Sequence, residues 1–476
     1  MIIIFYKRIF FLFLWGIKKI MTTHKETAGV KTILGDPRIA VRKMSVPLII
    51  SMLLVSLYNL ADAAWVAGLG SDALAGVGFV TPLFLILVGL GNGLGGGATS
   101  ALSKYIGQRK KEKADNGGLH VIFLTIIISL IMTVILLLVL EPLLIFMGAA
   151  DTTKYAMDYG LIIFSGSLLF VLPNAMYGIL RAEGDVNRTM VAMAISGVIN
   201  IIIDPILIYP LGLGVRGAAL ATLISSTFVI VIIIYWFYIK KNTYIKPTWS
   251  NFHFKRNITF DILKVGIPAS LELLMTAILT AVISTLLTTV ASTDAVAVYT
   301  TGWRVVSLGT MPIIGISTAL VSIVGANFGA RNFKNIQLAH RYSMKLALLV
   351  AVITGVFLYV FAPQVVMLFS YSVGSAHIAG SMTDFLRAMT LYYAFMAFGA
   401  PSTFLFQGVG KGLTAMIQTV LRTVVLSIIC AYLFAIVFGL GEHGVWYGII
   451  IGQMIATFIT LFWSNEYVKR LIKRNE

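Results

Sequence analysis

The sequence predicts an all-α integral membrane protein with twelve transmembrane helices in two parallel six-helix repeats, which form two lobes. Three observations support this fold class. Apolar residues make up 58% of the 476 residues, twelve apolar runs are each long enough to cross a bilayer, and the two halves share motifs at a nearly constant offset. Charged residues make up 12% of the chain, about half the share of a soluble globular protein. A soluble multidomain protein is therefore excluded.

The twelve apolar runs define the predicted domains. A transmembrane helix needs about 20 apolar residues, and the runs of the first half lie at 44–69, 73–102, 119–147, 156–180, 188–212 and 215–239. Those of the second half lie at 259–290, 295–320, 342–370, 385–409, 413–438 and 444–465. The predicted domains are an N-terminal segment (1–43), a first lobe (44–239), a linker (240–258), a second lobe (259–465) and a tail (466–476).

Basic residues predict the orientation in the membrane. If both termini are cytoplasmic, 31 of the 36 Lys and Arg residues fall in cytoplasmic segments, as the positive-inside rule requires. The net charge of +17 is then a topology signal, and no basic stripe with interleaved aromatics indicates nucleic-acid binding. We expect a multi-pass protein of the inner or plasma membrane whose N-terminal segment, linker and tail are cytoplasmic.

The first residues leave two interpretations open. The stretch Ile9–Ile17 is apolar, flanked by basic residues and too short to span a membrane. It is either a short interfacial anchor or precedes a true start at Met21. A cleaved signal peptide is disfavoured, because no small-residue cleavage site follows the stretch.

The two halves of the chain match in five places. The matches are Lys43-x3-Pro47 with Lys264-x3-Pro268, Asp72–Ala75 with Asp294–Ala297, Gly107–Arg109 with Gly329–Arg331, Pro173 and Gly184 with Pro401 and Gly412, and Gly212–Gly217 with Gly439–Gly444, at offsets of 221 to 228. Because six is an even number, both halves begin on the same side of the membrane, so the repeats are parallel. This duplication predicts a cavity between two lobes that opens alternately to each side.

Two stretches carry a family resemblance. Residues 58–70 (YNLADAAWVAGLG) and Asn200-x3-Asp204-Pro205, with the paired Pro and Gly motifs, resemble the multidrug and toxic compound extrusion (MATE) family. The likeness covers about residues 38–465 and is greatest to the prokaryotic branch related to the DNA-damage-inducible F protein. It implies export of cationic or amphiphilic drugs in exchange for H⁺ or Na⁺. We expect a monomeric transporter in the lipid bilayer, with no enzymatic activity and no cofactor.

Three acids lie within the apolar runs, namely Asp62, Asp204 and Glu272. Acids at such depth are costly and usually mark an ion path or a paired site. At 1.5 Å per residue, Asp62 lies ~27 Å and Asp204 ~24 Å from the cytoplasmic ends of their predicted helices. Both helices run outward, so the two carboxyl groups are expected at similar depth in the first lobe. The opposing interpretation is that each acid is a hydrogen-bonded structural link between helices.

Three further residues join this predicted coupling site. Asn200 precedes Asp204 by one helical turn, and Tyr159 and Thr222 lie at compatible depths. The family resemblance assigns these positions to a cation or proton site. Paired carboxylates serve H⁺ or Na⁺ equally well, so the coupling ion stays open, as does Na⁺ binding at Asp62 and Asp204. A single cysteine, Cys430, and scattered histidines indicate no other metal site.

The second lobe lacks matching acids. By the repeat offsets, Asp62 corresponds to Ser284 and Asp204 to Tyr432, so coupling is expected in the first lobe alone. Asn174 and Glu272 are the candidate substrate-cavity residues. For Glu272 two roles stay open, a cavity charge that binds a cationic substrate or a partner for a basic group at the cytoplasmic rim.

Other residues have structural expectations. Pro47 is expected near the first turn of helix 1, where proline is well tolerated, and the resemblance makes it a hinge. Arg304 is expected to clamp helices, and Arg422 to extend toward the cytoplasm. Residues 91–96 (GNGLGG) match the G-x-G-x-x-G pattern of dinucleotide-binding proteins. They lie in an apolar helix, however, where GxxxG spacing favours close helix packing.

The alternative function is a flippase for lipid-linked oligosaccharides or lipids.

Overall fold

The computed structural model describes residues 28–249, 252–367 and 376–474. Its regular elements are all helical, and the predicted all-α membrane fold is confirmed. Ten helices and one bent pair are long and apolar enough to cross a membrane. The helix Ala379–Gly408 adds a further segment of 30 residues. The alternatives for Ile9–Ile17 and Met21 lie outside the described residues.

The first lobe contains helices α2 to α8, preceded by a short helix α1. Their bounds are α1 Ala28–Leu34, α2 Pro37–Ala67, α3 Ser71–Gly107, α4 Lys111–Phe146, α5 Thr153–Ser165, α6 Ser167–Ala182, α7 Val186–Ile208 and α8 Val215–Ile234. Helices α5 and α6 form one predicted span that bends by 51° at Gly166. Helix α8 continues as a π-helical turn at Tyr235–Ile239.

The second lobe repeats this arrangement with helices α9 to α16. Their bounds are α9 Arg256–Ser270, α10 Glu272–Val290, α11 Thr293–Gly329, α12 Phe333–Met367, α13 Ala379–Gly408, α14 Gly412–Val420, α15 Leu426–Tyr432 and α16 Gly441–Lys473. Helices α9 and α10 are one span interrupted by a turn at Leu271. The span of α14 and α15 contains π-helical turns at Leu421–Val425 and Leu433–Val437.

Backbone conformation confirms that the two lobes are repeats. Arg109 and Arg331, which follow α3 and α11, both adopt a positive φ of 58°, the left-handed conformation that commonly ends a helix. Gly184 and Gly410 share a φ near 80° in the turns before α7 and α14. Gly184 therefore corresponds to Gly410 in conformation, two residues before the Gly412 that the sequence comparison selected.

Pro47 lies in a different position from the one expected. Helix α2 begins at Pro37, where the Asp36 side chain accepts a hydrogen bond from the Arg38 backbone N–H at 2.8 Å. Pro47 is therefore in the helix interior and buried, and the expectation of a first-turn position is wrong. The reason is that the polar residues before the apolar run are also helical. A proline in the interior leaves the carbonyl four residues earlier, at Lys43, without its helical donor.

The backbones of α3 and α11 meet where the two lobes join. We call the side of the bundle that carries Pro37, Gly107 and Lys473 the terminal face, and the other side the opposite face. A Cβ built on Gly107 would lie 1.9 Å from the Ala326 carbonyl oxygen, and one built on Gly329 would lie 2.1 Å from the Lys104 carbonyl oxygen. These repeat-related glycines therefore let the two backbones touch at the terminal face.

The glycine-rich part of α3 extends this contact. A Cβ on Gly97 would lie 2.3 Å from the Ile262 carbonyl oxygen of α9, and one on Gly95 would lie 2.6 Å from the Asn174 carbonyl oxygen of α6. Successive glycines thus face α9 in the second lobe and α6 in the first. The expectation that these glycines serve close helix packing is confirmed.

The linker packs against the first lobe through side chains that accept hydrogen bonds from its backbone. His120 Nε2 accepts from the Lys255 N–H at 2.9 Å, and Glu183 Oε2 accepts from the Ile245 N–H at 2.7 Å. Glu183 lies in the turn between α6 and α7 and is 3% exposed. Burial, and to a smaller degree the Asp185 carboxylate, raises the pKa of Glu183 from 4.5 to about 8.

We expect Gly107→Ala to disrupt the contact between the lobes, because the new methyl group cannot fit beside the Ala326 carbonyl. The melting temperature of the purified protein should fall by several degrees. Gly78→Ala in the same helix is the matched control, since a Cβ there has no neighbour within 4 Å and alanine favours the helix. Equal melting temperatures for the two variants would contradict the proposed contact.

We also expect stability to depend on the protonation of Glu183. Because its pKa is higher in the folded protein, the folded state binds more protons than the unfolded chain between the two pKa values. The stabilisation is complete below the unfolded pKa and is lost as the pH rises through the folded pKa. Thermal unfolding between about pH 5 and pH 9 should show this decline in the wild type and a weaker one in Glu183→Gln. Parallel curves for the two proteins would contradict the assignment.

Candidate functional site

The deep acids of the first lobe meet near the opposite-face ends of their helices. Asp62 lies five residues before the end of α2, and Asp204 lies four residues before the end of α7. Their carboxyl groups are close enough to share a hydrogen bond. Two carboxyl groups share one only when one of them holds a proton, since two carboxylates at that distance repel each other. The equal depth predicted from the helical rise thus corresponds to a direct contact.

Several oxygen atoms at this contact have no hydrogen-bond donor in the described part of the chain. Asn200 Nδ2 donates to Asp204 Oδ1 at 3.4 Å, and both residues are almost fully buried. Within the described chain, Asp62 Oδ1, Asp204 Oδ2 and Asn200 Oδ1 receive no hydrogen bond from an N–H or O–H group. Buried polar atoms are nearly always partnered. This set of oxygens therefore suits a shared proton or a cation with oxygen ligands.

Two tyrosines, Tyr159 and Tyr58, interact with the acid pair. Tyr159 on α5 interacts electrostatically with both Asp62 and Asp204, as the sequence led us to expect. Tyr58 also interacts with Asp62, and Tyr177 on α6 interacts with Tyr58. Sequence reasoning missed these two tyrosines as site residues. The spacing of four residues between Tyr58 and Asp62 was an available signal, whereas nothing in the local sequence indicated Tyr177.

Thr222 and Pro47 lie outside this direct contact. The Thr222 side chain is half-buried, and in the described part of the chain it makes no hydrogen bond to either acid. Pro47 precedes Asp62 by fifteen residues, which is ~22 Å along α2. It therefore touches neither carboxyl group, although it shares their helix. Any effect of Pro47 on the acid pair has to pass through the shape of α2.

A second feature is a cavity of about 420 Å³ between the lobes. Its wall in the first lobe is formed by Met52, Asn92, Gly96, Thr99 and Arg181. The second lobe supplies polar, aromatic and methionine side chains, including Glu272, Trp303, Met311, Tyr392, Met396, Phe404, Gln407, Thr419 and Arg422. Aromatic and methionine side chains of this kind accommodate ligands of varied shape.

The charged residues of the cavity only partly follow the expectations. Glu272 does line it, and its Oε1 accepts a hydrogen bond from Gln407 Nε2 at 2.8 Å. Arg422 also lines it and is 7% exposed, so the expectation that it extends toward the cytoplasm is wrong. Its position in a π-helical turn rotates it inward, which no periodicity revealed. Arg304 is exposed and lies outside the cavity lining.

Asn174 lies beside the cavity but does not line it. The residue is half-buried, its Nδ2 donates to the Phe170 carbonyl at 3.1 Å, and its side chain lies against Gly91 of α3. Arg181, seven residues later on the same helix, is the residue of α6 that reaches the cavity. Sequence reasoning had placed Arg181 only among the cytoplasmic basic residues, because it lies in the last turn of its helix.

Comparison with known proteins agrees with this architecture. The MatE family profile matches residues 47–206 and 268–433, one match in each lobe. A probable multidrug resistance protein NorM of Thermotoga maritima is 26% identical over 449 residues, which cover 91% of this chain and 94% of that protein. A multidrug export protein MepA of Staphylococcus haemolyticus is 27% identical over 440 residues, with the same coverage of both chains.

Solved structures extend the comparison to the whole fold. A crystal structure of a MATE protein in complex with MaL6 superposes with a TM-score of 0.92 at 39% identity and covers 94% of this chain and 100% of that chain. An outward-facing multidrug resistance MATE transporter gives a TM-score of 0.91 at 39% identity, covering 94% of this chain and 99% of that chain. The chain is therefore a multi-pass membrane protein that belongs to the MatE family.

Proposed function

We propose that the protein is a secondary active multidrug exporter that exchanges amphiphilic compounds for H⁺ or Na⁺. The observation that carries this proposal is the contact between Asp62 and Asp204 in one lobe only. Their counterparts by repeat offset are Ser284 and Tyr432, which carry no charge. The relatives named above as multidrug proteins support the drug-export part of the proposal.

The acid pair supplies the coupling step. With one shared proton, the two carboxyl groups hold α2 and α7 together at the opposite face. When that proton leaves, two negative charges are left among unpaired oxygens, and they must separate or bind a cation. Na⁺ satisfies the same oxygens without a proton. Pro47, where α2 lacks a backbone donor, is the proposed hinge that lets α2 change shape in response.

Alternating access then requires the lobes to part at the terminal face. In this conformation that face is closed by the backbone contacts of Gly107 and Gly329, so the cavity lies beyond the closed contact. We propose that the terminal face is cytoplasmic, in keeping with the positive-inside rule. Substrate would enter when this contact opens and leave when it closes again. The protein would work as a monomer, because the cavity is formed within one chain.

Replacement of either acid should uncouple export. In proteoliposomes, Asp62→Asn and Asp204→Asn should each reduce dye export driven by a pH or Na⁺ gradient by about tenfold or more, because one carboxyl group cannot form the pair. Asp294→Asn is the matched control, since Asp294 is an exposed acid of the second lobe that pairs with His377 at 3.1 Å. All variants should fold, as judged by size-exclusion profiles.

The same assay separates the remaining possibilities. A rate that follows only the pH gradient assigns H⁺ as the coupling ion, and one that follows only the Na⁺ gradient assigns Na⁺. Normal export by both Asn variants under both gradients would contradict coupling at the acid pair. Movement of a fluorescent lipid-linked sugar without any dye export would replace drug export by the flippase alternative.

A further inference from the structure

The cavity between the lobes contains a guanidinium group that pairs with no acid of the described chain. Arg181 lies in the last turn of α6 and lines the cavity. Its guanidinium lies against α3, where a Cβ built on Gly95 would be 2.8 Å from Arg181 Nη2. Arg181 Nε is buried without a hydrogen-bond partner, and across the described ranges no carboxylate lies within 4 Å of the guanidinium.

A second guanidinium faces the cavity from the other lobe. Arg422 is 7% exposed, and its Nε also lacks a partner in the described part of the structure. Arg422 interacts electrostatically with Glu272, which is the acidic residue among those that line the cavity. The cavity thus holds two guanidinium groups and one carboxylate. Arg422 balances Glu272 within the second lobe, and Arg181 is left unbalanced on the wall of the first lobe.

The acid pair of the first lobe does not neutralise Arg181. Asp62 and Asp204 are absent from the cavity lining, and each interacts chiefly with the other. Among the described residues, Tyr177, one turn earlier, interacts electrostatically with Arg181, and a neutral phenol carries no compensating charge. Arg181 is partly exposed toward the cavity, and its buried Nε has no hydrogen-bond partner in the described chain, so its guanidinium is available to an anionic ligand.

We propose that Arg181 binds the anionic group of an exported amphiphile, so that the cavity prefers a compound with a carboxylate over the same compound without one. A guanidinium binds a carboxylate through two parallel hydrogen bonds, and Arg181 has free donors to make them. The apolar body of the ligand contacts the aromatic and methionine wall formed by Trp303, Tyr392 and Met396. This inference rests on the proposed export function and narrows its substrate class, because the acids alone had indicated simple cations.

Binding of two forms of one dye tests the inference. Rhodamine with a free carboxylate is a zwitterion at neutral pH, whereas its methyl ester is a cation of nearly the same shape. Fluorescence anisotropy with the purified full-length protein in lipid nanodiscs should show the carboxylate form bound about tenfold tighter. Arg181→Gln should remove that preference by weakening the carboxylate form alone, and Arg181→Lys should keep part of it. Arg304→Gln, an arginine outside the cavity, should change neither affinity.

Three results would overturn the inference. In the first, the wild-type protein binds the ester as tightly as the carboxylate form. In the second, Arg181→Gln weakens the binding of both forms equally. In the third, Arg304→Gln weakens the binding of the carboxylate form as much as Arg181→Gln does. The first of these needs no variant, so a folding defect in Arg181→Gln leaves the inference open to refutation. Gradient-driven export of the ester in proteoliposomes with no carboxylate preference would refute the inference while sustaining the export function. Absence of gradient-driven export of either form would refute the export function itself.

Discussion

The structure depends on the direct backbone contact between the two lobes at the terminal face. Helices α3 and α11 approach so closely that a single methyl group at Gly107 or Gly329 would overlap a carbonyl oxygen of the other lobe. The glycines of α3 continue this contact toward the membrane interior, where lipid is as apolar as the helices and close packing of small residues supplies the attraction. This contact closes one side of the cavity, and the repeat places it symmetrically between the lobes.

The two lobes have the same helical arrangement but differ in their ionisable side chains. Arg109 follows α3 and Arg331 follows α11, and both have a backbone φ of 58°. The two repeats therefore agree closely in backbone conformation at these helix ends. The acid pair occurs in the first lobe alone, and the Glu272–Gln407 hydrogen bond occurs in the second. A protein with two equivalent lobes can thus assign ion binding to one of them and still move both, because the contact between the lobes links their motions.

The charged residues of the cavity change the expected substrate of the protein most. Deep acids by themselves suggest that the protein binds cations, and this was the expectation from the sequence. The structure separates the acids into two groups, a carboxyl pair that is closed off with Asn200 and Tyr159 and a single carboxylate, Glu272, in the cavity. The arginines Arg181 and Arg422 join the second group. The proposed ion-coupling site and the proposed substrate cavity are therefore spatially distinct, and each has its own electrostatic environment.

The sequence alone determined the fold class, the existence of many helical membrane segments, the repeat and the similar depth of Asp62 and Asp204. These follow from apolar length and from the constant rise of a helix, which are local properties. The direction in which each side chain points was decided only in the tertiary structure. Helix α8 carries apolar residues on every side, so hydropathy does not determine its rotation. The π-helical turn that contains Arg422, the interior position of Pro47 and the interactions of Tyr58 with Asp62 and of Tyr177 with Tyr58 all depend on that packing.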